Sequence, residues 1–178
     1  KLRQELVAAL PDLEATVETF ANFDYPQFSR QREALSIAAE HQYPLHGDKL
    51  VTCAGDSYLA TQYRAKIEEY LSPNSTAKLA RTAQGSYMVG PQARLRNGQQ
   101  QLSPMAVRVC SALDLDPAGL NPFENLKARL VEVIHYTEEA LHTIDELLLC
   151  GTQQILAKET PAEGGCGTAT VEAPRGLL

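Results

Sequence analysis

Arg175 stands between Pro174 and Gly176 in the run Glu172-Ala-Pro-Arg-Gly176, close to the end of a 178-residue chain. Pro174 fixes its own φ and donates no N–H, while Gly176 tolerates φ > 0. A guanidinium carried between them has a predefined backbone and can be aimed. The preceding Thr168–Val171 has β-branched residues in three of its four places, which favours a strand running into the Pro174 turn. By itself this is a strand end with either an aimed or an ion-paired arginine. The other groups able to do chemistry are less ordered. Cys53, Cys110, Cys150 and Cys166 are scattered, with no C-x-x-C pair, and isolated cysteines usually behave as small buried hydrophobes.

A second constellation is Glu132-Val-Ile-His135 and Glu139-Ala-Leu-His142. Carboxylate-rich di-iron bundles use Glu-x-x-His to hold metal, with the two copies on facing helices. Here both copies fall on one helix, about 10 Å apart along its axis, so they cannot close around one metal pair. Glu132, His135, Glu139, His142 and Glu146 read instead as a polar stripe on a solvated or subunit-facing side.

The elements that must position these groups are mostly helical. Leu2, Leu6, Leu10, Leu13, Val17 and Phe20 recur at three- and four-residue spacing and predict a helix over 2–22, kinked or divided at Pro11. Ser29 caps a second helix running to about His41. Tyr43–Leu45, Lys49–Cys53 and Ser57–Ala60 read as a small antiparallel meander, with turns at His46-Gly47-Asp48 and Ala54-Gly55-Asp56. Helical segments follow near Gln62–Leu71 and Thr76–Ala83. Ser103-Pro104 starts a helix to about Leu113, the hydroxyl acting as cap.

Asn121-Pro122-Phe123-Glu124 joins an N-cap, a proline at the first helical position and a Glu three residues on. From there Leu126, Leu130, Val133, Leu141, Ile144 and Leu148 keep a helical spacing to Cys150, with Gly151 as terminator. Such a helix over about 122–150 would be roughly 43 Å long, long enough to pack against further helices. Residues 151–165 read as a loop into the last strand. The expected fold class is α+β, mainly α.

Composition narrows the function classes. The chain is 44% hydrophobic and 21% charged with net charge -6, as in a soluble globular protein, and nothing basic is clustered to suit nucleic acid. No apolar run approaches the roughly 20 residues needed to cross a bilayer. Lys1 at the start and Leu177-Leu178 at the stop give the expectation of one piece, 1–178, of a larger subunit, with no internal boundary.

Tyr87-Met-Val-Gly-Pro-Gln-Ala-Arg-Leu95 resembles a segment of nickel–iron hydrogenase large subunits, usually close to Tyr-Arg-Val-Gly-Pro-Leu-Ala-Arg-Leu-Asn. Glu172-Ala-Pro-Arg-Gly176 resembles that family's motif beside its active site, and the two occur in the family's order. The 43–60 meander looks like that of the family's cytoplasmic branch. Met88, Gln92 and Arg96 depart from the pattern, standing where Arg, Leu and Asn are usual. The family's two C-x-x-C pairs are absent, so the resemblance implies an internal fragment with no metal ligands of its own.

The resemblance implies a multihelical hydrogenase-large-subunit fold and a cytoplasmic enzyme that cleaves H2 heterolytically. It further implies a nickel–iron centre with carbon monoxide and cyanide ligands in the intact parent, none in the isolated fragment, and an iron–sulfur small subunit as electron partner. By resemblance Arg175 is the catalytic residue, polarising or orienting H2 above the open metal position, with a metal-bound thiolate as the rival base. Glu172, Ala173, Pro174, Gly176 and Leu178 form the active-site wall. Glu172 orients the loop or pairs with a cation, and Arg94 is structural. Two other classes remain open at this point. One is a protein like the large peripheral subunit of respiratory complex I, metal-free and acting on quinone. The other is a non-catalytic hydrogenase-like scaffold.

Overall fold

The structure is a computed structural model describing residues 1–119, 121–150, 167–174 and 176–177. Four helical segments have eight residues or more, α1 (Leu2–Ala21), α3 (Pro91–Gly98), α4 (Pro104–Ala112) and α5 (Asn125–Cys150), with a single turn α2 at Tyr63–Lys66. The strands are β1 (Glu33–Ile37), β2 (His46–Gly47), β3 (Lys49–Thr52), β4 (Ser57–Leu59), β5 (Glu68–Leu71), β6 (Lys78–Arg81), β7 (Tyr87–Met88), β8 (Thr170–Ala173) and β9 (Gly176–Leu177). The α+β class holds. Among the described residues no helix is long and apolar enough to cross a membrane.

The long helix forms where its cap predicts. Asn121 Oδ1 accepts the Phe123 N–H at 3.1 Å, Pro122 opens a 3-10 turn through Glu124, and α5 follows for 26 residues. Its inward face differs from the expected stripe, however. Of that stripe Leu130 is buried, together with Ala128, Val131, Ile134 and His135, whereas Leu126, Val133 and Leu148 are exposed. The smaller Ala/Val/Ile row wins because α3 and α4 approach closely there. Leu95, Val109, Leu113, Val131 and Ile134 build the helical core, with Val17 of α1 closing one side. Helix α1 runs undivided through Pro11.

The segment expected to be a second helix at 29–41 is instead the central strand β1. Glu33-Ala-Leu-Ser-Ile37 is rich in helix formers, but from Ala34 onward it is buried on every side. It lies inside a four-stranded sheet ordered β4-β3-β1-β7, with α3 packed against it. Tertiary pairing overrides local propensity here. Strand β1 is antiparallel to β3 and parallel to β7.

The expected helices at 62–71 and 76–83 are also corrected. Beyond the turn α2 they form the exposed hairpin β5–β6, joined by Glu68–Arg81 and Glu69–Lys78 ion pairs. Ser72-Pro-Asn74 lies in the hairpin loop, so the proline and asparagine signals that separate two helices here turn two strands.

The antiparallel element at about 43–60 is present as the β3–β4 hairpin, turned at Gly55 with φ +92°. Tyr43–Leu45 is not a strand, and His46–Gly47 pairs with β8 rather than with β3. The last strand begins two residues later than expected, at Thr170, and Val171 lies within it as foreseen. The loop expected at 151–165 and Cys166 lie outside the described residues.

Candidate functional site

Strand β8 delivers the Glu-Ala-Pro run to the middle of the molecule, where Arg94 meets it. Arg94 lies on α3, and α3 is launched by Val89-Gly90-Pro91. Gly90 has φ +91° and ψ -161°, a region open almost only to glycine, and Pro91 supplies the helical φ of the first position. The Val-Gly-Pro motif is thus a rigid corner that fixes where the next turn of helix points.

Arg94 points into a buried cluster. Its Nε and Nη2 donate to the two carboxylate oxygens of Glu132 at 2.6 and 2.7 Å. Its Nη1 donates to Glu172 Oε2 and to the Ala173 carbonyl, both at 2.8 Å, and Nη2 reaches the Pro174 carbonyl at 3.5 Å. The side chains of Arg94, Glu132 and Glu172 are only 3%, 7% and 1% exposed. Every N–H of the guanidinium has an acceptor. Such a saturated group cannot give or take a proton in chemistry; it positions.

The carboxylates are tied in turn. Glu172 Oε1 accepts the Ile37 N–H at 2.8 Å, which locks β8 to the end of β1. Tyr43 donates its hydroxyl to Glu132 Oε1 at 2.9 Å. The Tyr43 ring lies edge-on to His135, with centroids 4.9 Å apart.

Burial would pull Arg94 down, but hydrogen bonds and charge from Glu132 and Glu172 outweigh it and hold the guanidinium above its ordinary value. Burial pushes Glu172 above the usual carboxylate range, and the Ile37 N–H and Arg94 recover only part of that shift. Burial, reinforced by Glu132, also pushes the Tyr43 phenol well up. Formally, two carboxylates share one guanidinium in a dry interior, where charge interactions are strong.

Gly176 sits against Val89: a Cβ at position 176 would come within 3.3 Å of Val89 Cγ2. Two sequence motifs some eighty residues apart are therefore in direct contact, through Arg94 and through this glycine. Of the expected wall, Glu172, Ala173, Pro174 and Gly176 are brought together. Arg175 and Leu178 lie outside the described residues. Beside Ala173 and Pro174 opens a cleft of about 530 Å³ whose lining includes Leu6, Leu45, Val133, Tyr136 and Ala140. One wall is this loop and the other is α5.

Glu132, Tyr43 and Ile37 were not expected at this site from the sequence. Glu132 and His135 belong to the stripe expected on a solvated or subunit-facing side, yet both are buried, and only Glu139, His142 and Glu146 of that stripe are not. The signal was present in Ala128, Val131 and Ile134, whose spacing turns that side of α5 inward. Ser103 precedes α4 as expected, but its hydroxyl caps nothing: Ser103 Oγ is buried without a partner, and its N–H donates to His135 Nδ1 at 3.1 Å.

That bond requires His135 to be unprotonated at Nδ1, and burial lowers its pKa against the opposing pull of Glu139, Glu132 and Glu138. An unfolded histidine takes up its proton near pH 6.5. Below that value the unfolded chain binds a proton that the folded chain refuses. Stability is therefore fully present above about pH 6.5 and falls as pH drops through the interval between the two values, by at most about 1.4 kcal/mol per pH unit for one proton. His135→Asn, whose Oδ1 can accept the same N–H, should flatten the acid limb of a melting-temperature profile between pH 7 and 5. An unchanged acid limb would show that His135 is not its source.

Among the described residues no group of three or more His, Cys, Asp or Glu side chains could hold a metal ion. Cys53 Sγ accepts the Ala34 N–H and Cys110 Sγ contacts the Leu115 carbonyl, so each is separately engaged.

No family model matches the chain. The chain is, however, similar to a hydrogenase subunit. Over 181 aligned positions the chain is 30% identical to "Sulfhydrogenase 1 subunit alpha" of Pyrococcus furiosus, covering 100% of this chain and 42% of that protein. The chain thus spans less than half the length of this relative, and the likeness supports a hydrogenase-related protein of oxidoreductase type.

Proposed function

We propose that the chain is the middle and near C-terminal part of the large, catalytic subunit of a cytoplasmic nickel–iron hydrogenase, an enzyme that reversibly splits H2 into protons and electrons. The electrons would pass to an iron–sulfur small subunit. The observation that carries this reading is the contact of the two hydrogenase-like motifs through Arg94, which binds Glu172 and the carbonyls of Ala173 and Pro174. A chance pair of short matches has no reason to meet in a saturated buried network.

The described residues do not themselves fit as a ligand set for such a centre, since no donor cluster is found among them and a soft, low-valent metal calls for thiolates. What they fit is the wall beside it. A nickel–iron centre with carbon monoxide and cyanide ligands, held by cysteines elsewhere in the parent, would supply the H2-splitting chemistry. Within this segment Arg94 pins the two carbonyls that precede Arg175 in the chain. Pro174 denies the loop a backbone donor and restricts its torsion. Leu45 and Val133 give the cleft beside the loop an apolar lining. Arg175, always charged in water, orients or polarises H2 rather than carrying the proton away.

Elemental analysis of the purified full-length protein tests this. Stoichiometric nickel and iron are expected, together with a C-x-x-C pair on each side of the segment in the reading frame. A folded, metal-free protein would instead favour a metal-free relation, such as a complex I-like or scaffold protein.

A further inference from the structure

A second cleft lies away from this loop, at the end of the four-stranded sheet where β1 and β7 begin and β3 ends. It has a volume of about 570 Å³ and is lined by Arg30, Arg32, Glu33, Cys53, Ser86 and Arg96, among others. In a chain of net charge -6, three arginines gather here around one carboxylate. That carboxylate is already in use, with Glu33 Oε2 accepting the Thr82 hydroxyl at 2.7 Å. Among the described residues none of the three arginines forms an ion pair. More tellingly, Arg32 Nε and Arg96 Nη1 are sealed from solvent with no hydrogen-bond acceptor.

We infer that this cleft is a binding site for a small oxyanion-bearing ligand, one that presents a phosphoryl or carboxylate group to Arg32 and Arg96. Buried guanidinium donors without acceptors are rare in folded proteins and call for a missing partner. Arg32 and Arg96 line the cleft without an ion-paired countercharge among the described residues, and an oxyanion bound there would supply one. The planar, forked guanidinium matches carboxylate and phosphate oxygens two at a time. The volume lies within the range of small-molecule sites, larger than a lone ion needs. Arg96 also stands where the hydrogenase-like pattern leads to Asn, so this cation is a feature of the present chain. Arg30, exposed at the edge, would draw the anion in.

The test uses the full-length protein at low ionic strength, titrated calorimetrically with inorganic phosphate and, separately, with succinate. Saturable binding of at least one anion is expected, with a rise in melting temperature that follows its concentration. Phosphate preference marks a phosphorylated ligand and succinate preference a carboxylate. Arg32→Gln and Arg96→Gln should each weaken binding about tenfold or more. Arg30→Gln, at an exposed position that leaves the fold intact, should weaken it severalfold without moving the melting temperature of the anion-free protein. Absence of saturable binding of both anions overturns the inference. Binding that survives all three substitutions unchanged overturns it equally.

Discussion

Arg94→Met is expected to destabilise the protein by about 3–5 kcal/mol, the range seen when one partner of a buried ion pair is removed. The substitution leaves Glu132 and Glu172 facing each other in a site where both side chains are almost wholly buried. It also strips the Ala173 carbonyl of its donor. Glu172 already sits above the usual carboxylate range because of burial, and without Arg94 it would rise further, so the variant should take up a proton that the wild type does not.

Arg94→Lys should recover only part of the loss. A lysine keeps the charge but has three donors on a flexible stem and cannot serve two carboxylates and a carbonyl in one plane. If instead the whole cluster is neutralised, as in Arg94→Met with Glu132→Leu and Glu172→Gln, much of the stability should return. Buried ion networks are often no better than shape-matched apolar packing, and the amide oxygen introduced by Glu172→Gln could still accept the Ile37 N–H. Thermal unfolding of the three variants reads this directly. A single Arg94→Met variant as stable as wild type would contradict the role given to the cluster.

The parts of this site that could be read from sequence are those carried by local chemistry. Asn121-Pro122 announces the start of the long helix, and it is there. Pro174 and Gly176 announce a corner, and β8 and β9 flank it. Arg94 could be taken as structural from its place after Val-Gly-Pro. What sequence could not supply is the long-range pairing. Strand β1 is written in helix-forming residues, and only its burial between β3 and β7 makes it extended. Glu132 looks like any polar residue on a helix until α3 brings a guanidinium opposite it. Tyr43 joins the cluster across 89 residues of chain, a separation that no periodicity encodes. The arginine cleft had no signal either, because Arg30 and Arg32 are far from Arg96 in the chain, and the three gather only when the sheet end and α3 close together.

The second large effect is on chemistry. Arg175→Lys in the intact parent keeps a positive charge but loses the rigid guanidinium plane. If that plane orients H2 in a dry pocket, turnover should fall by roughly a hundredfold or more, as when one preorganised polar group is taken from a reacting centre. Folding should stay near normal, because Arg94 holds Glu172, Ala173 and Pro174. Arg94→Met would show the opposite order of damage, with stability and metal loading lost first.

The most direct measurement is therefore hydrogen-dependent turnover of the Arg175→Lys enzyme, expressed per bound nickel and compared with wild type. Nickel content and melting temperature should stay close to wild type, with activity per nickel lower by about two orders of magnitude. Activity per nickel equal to wild type would contradict a catalytic role for Arg175, leaving Glu172–Gly176 as a shaped wall held by Arg94 and nothing more.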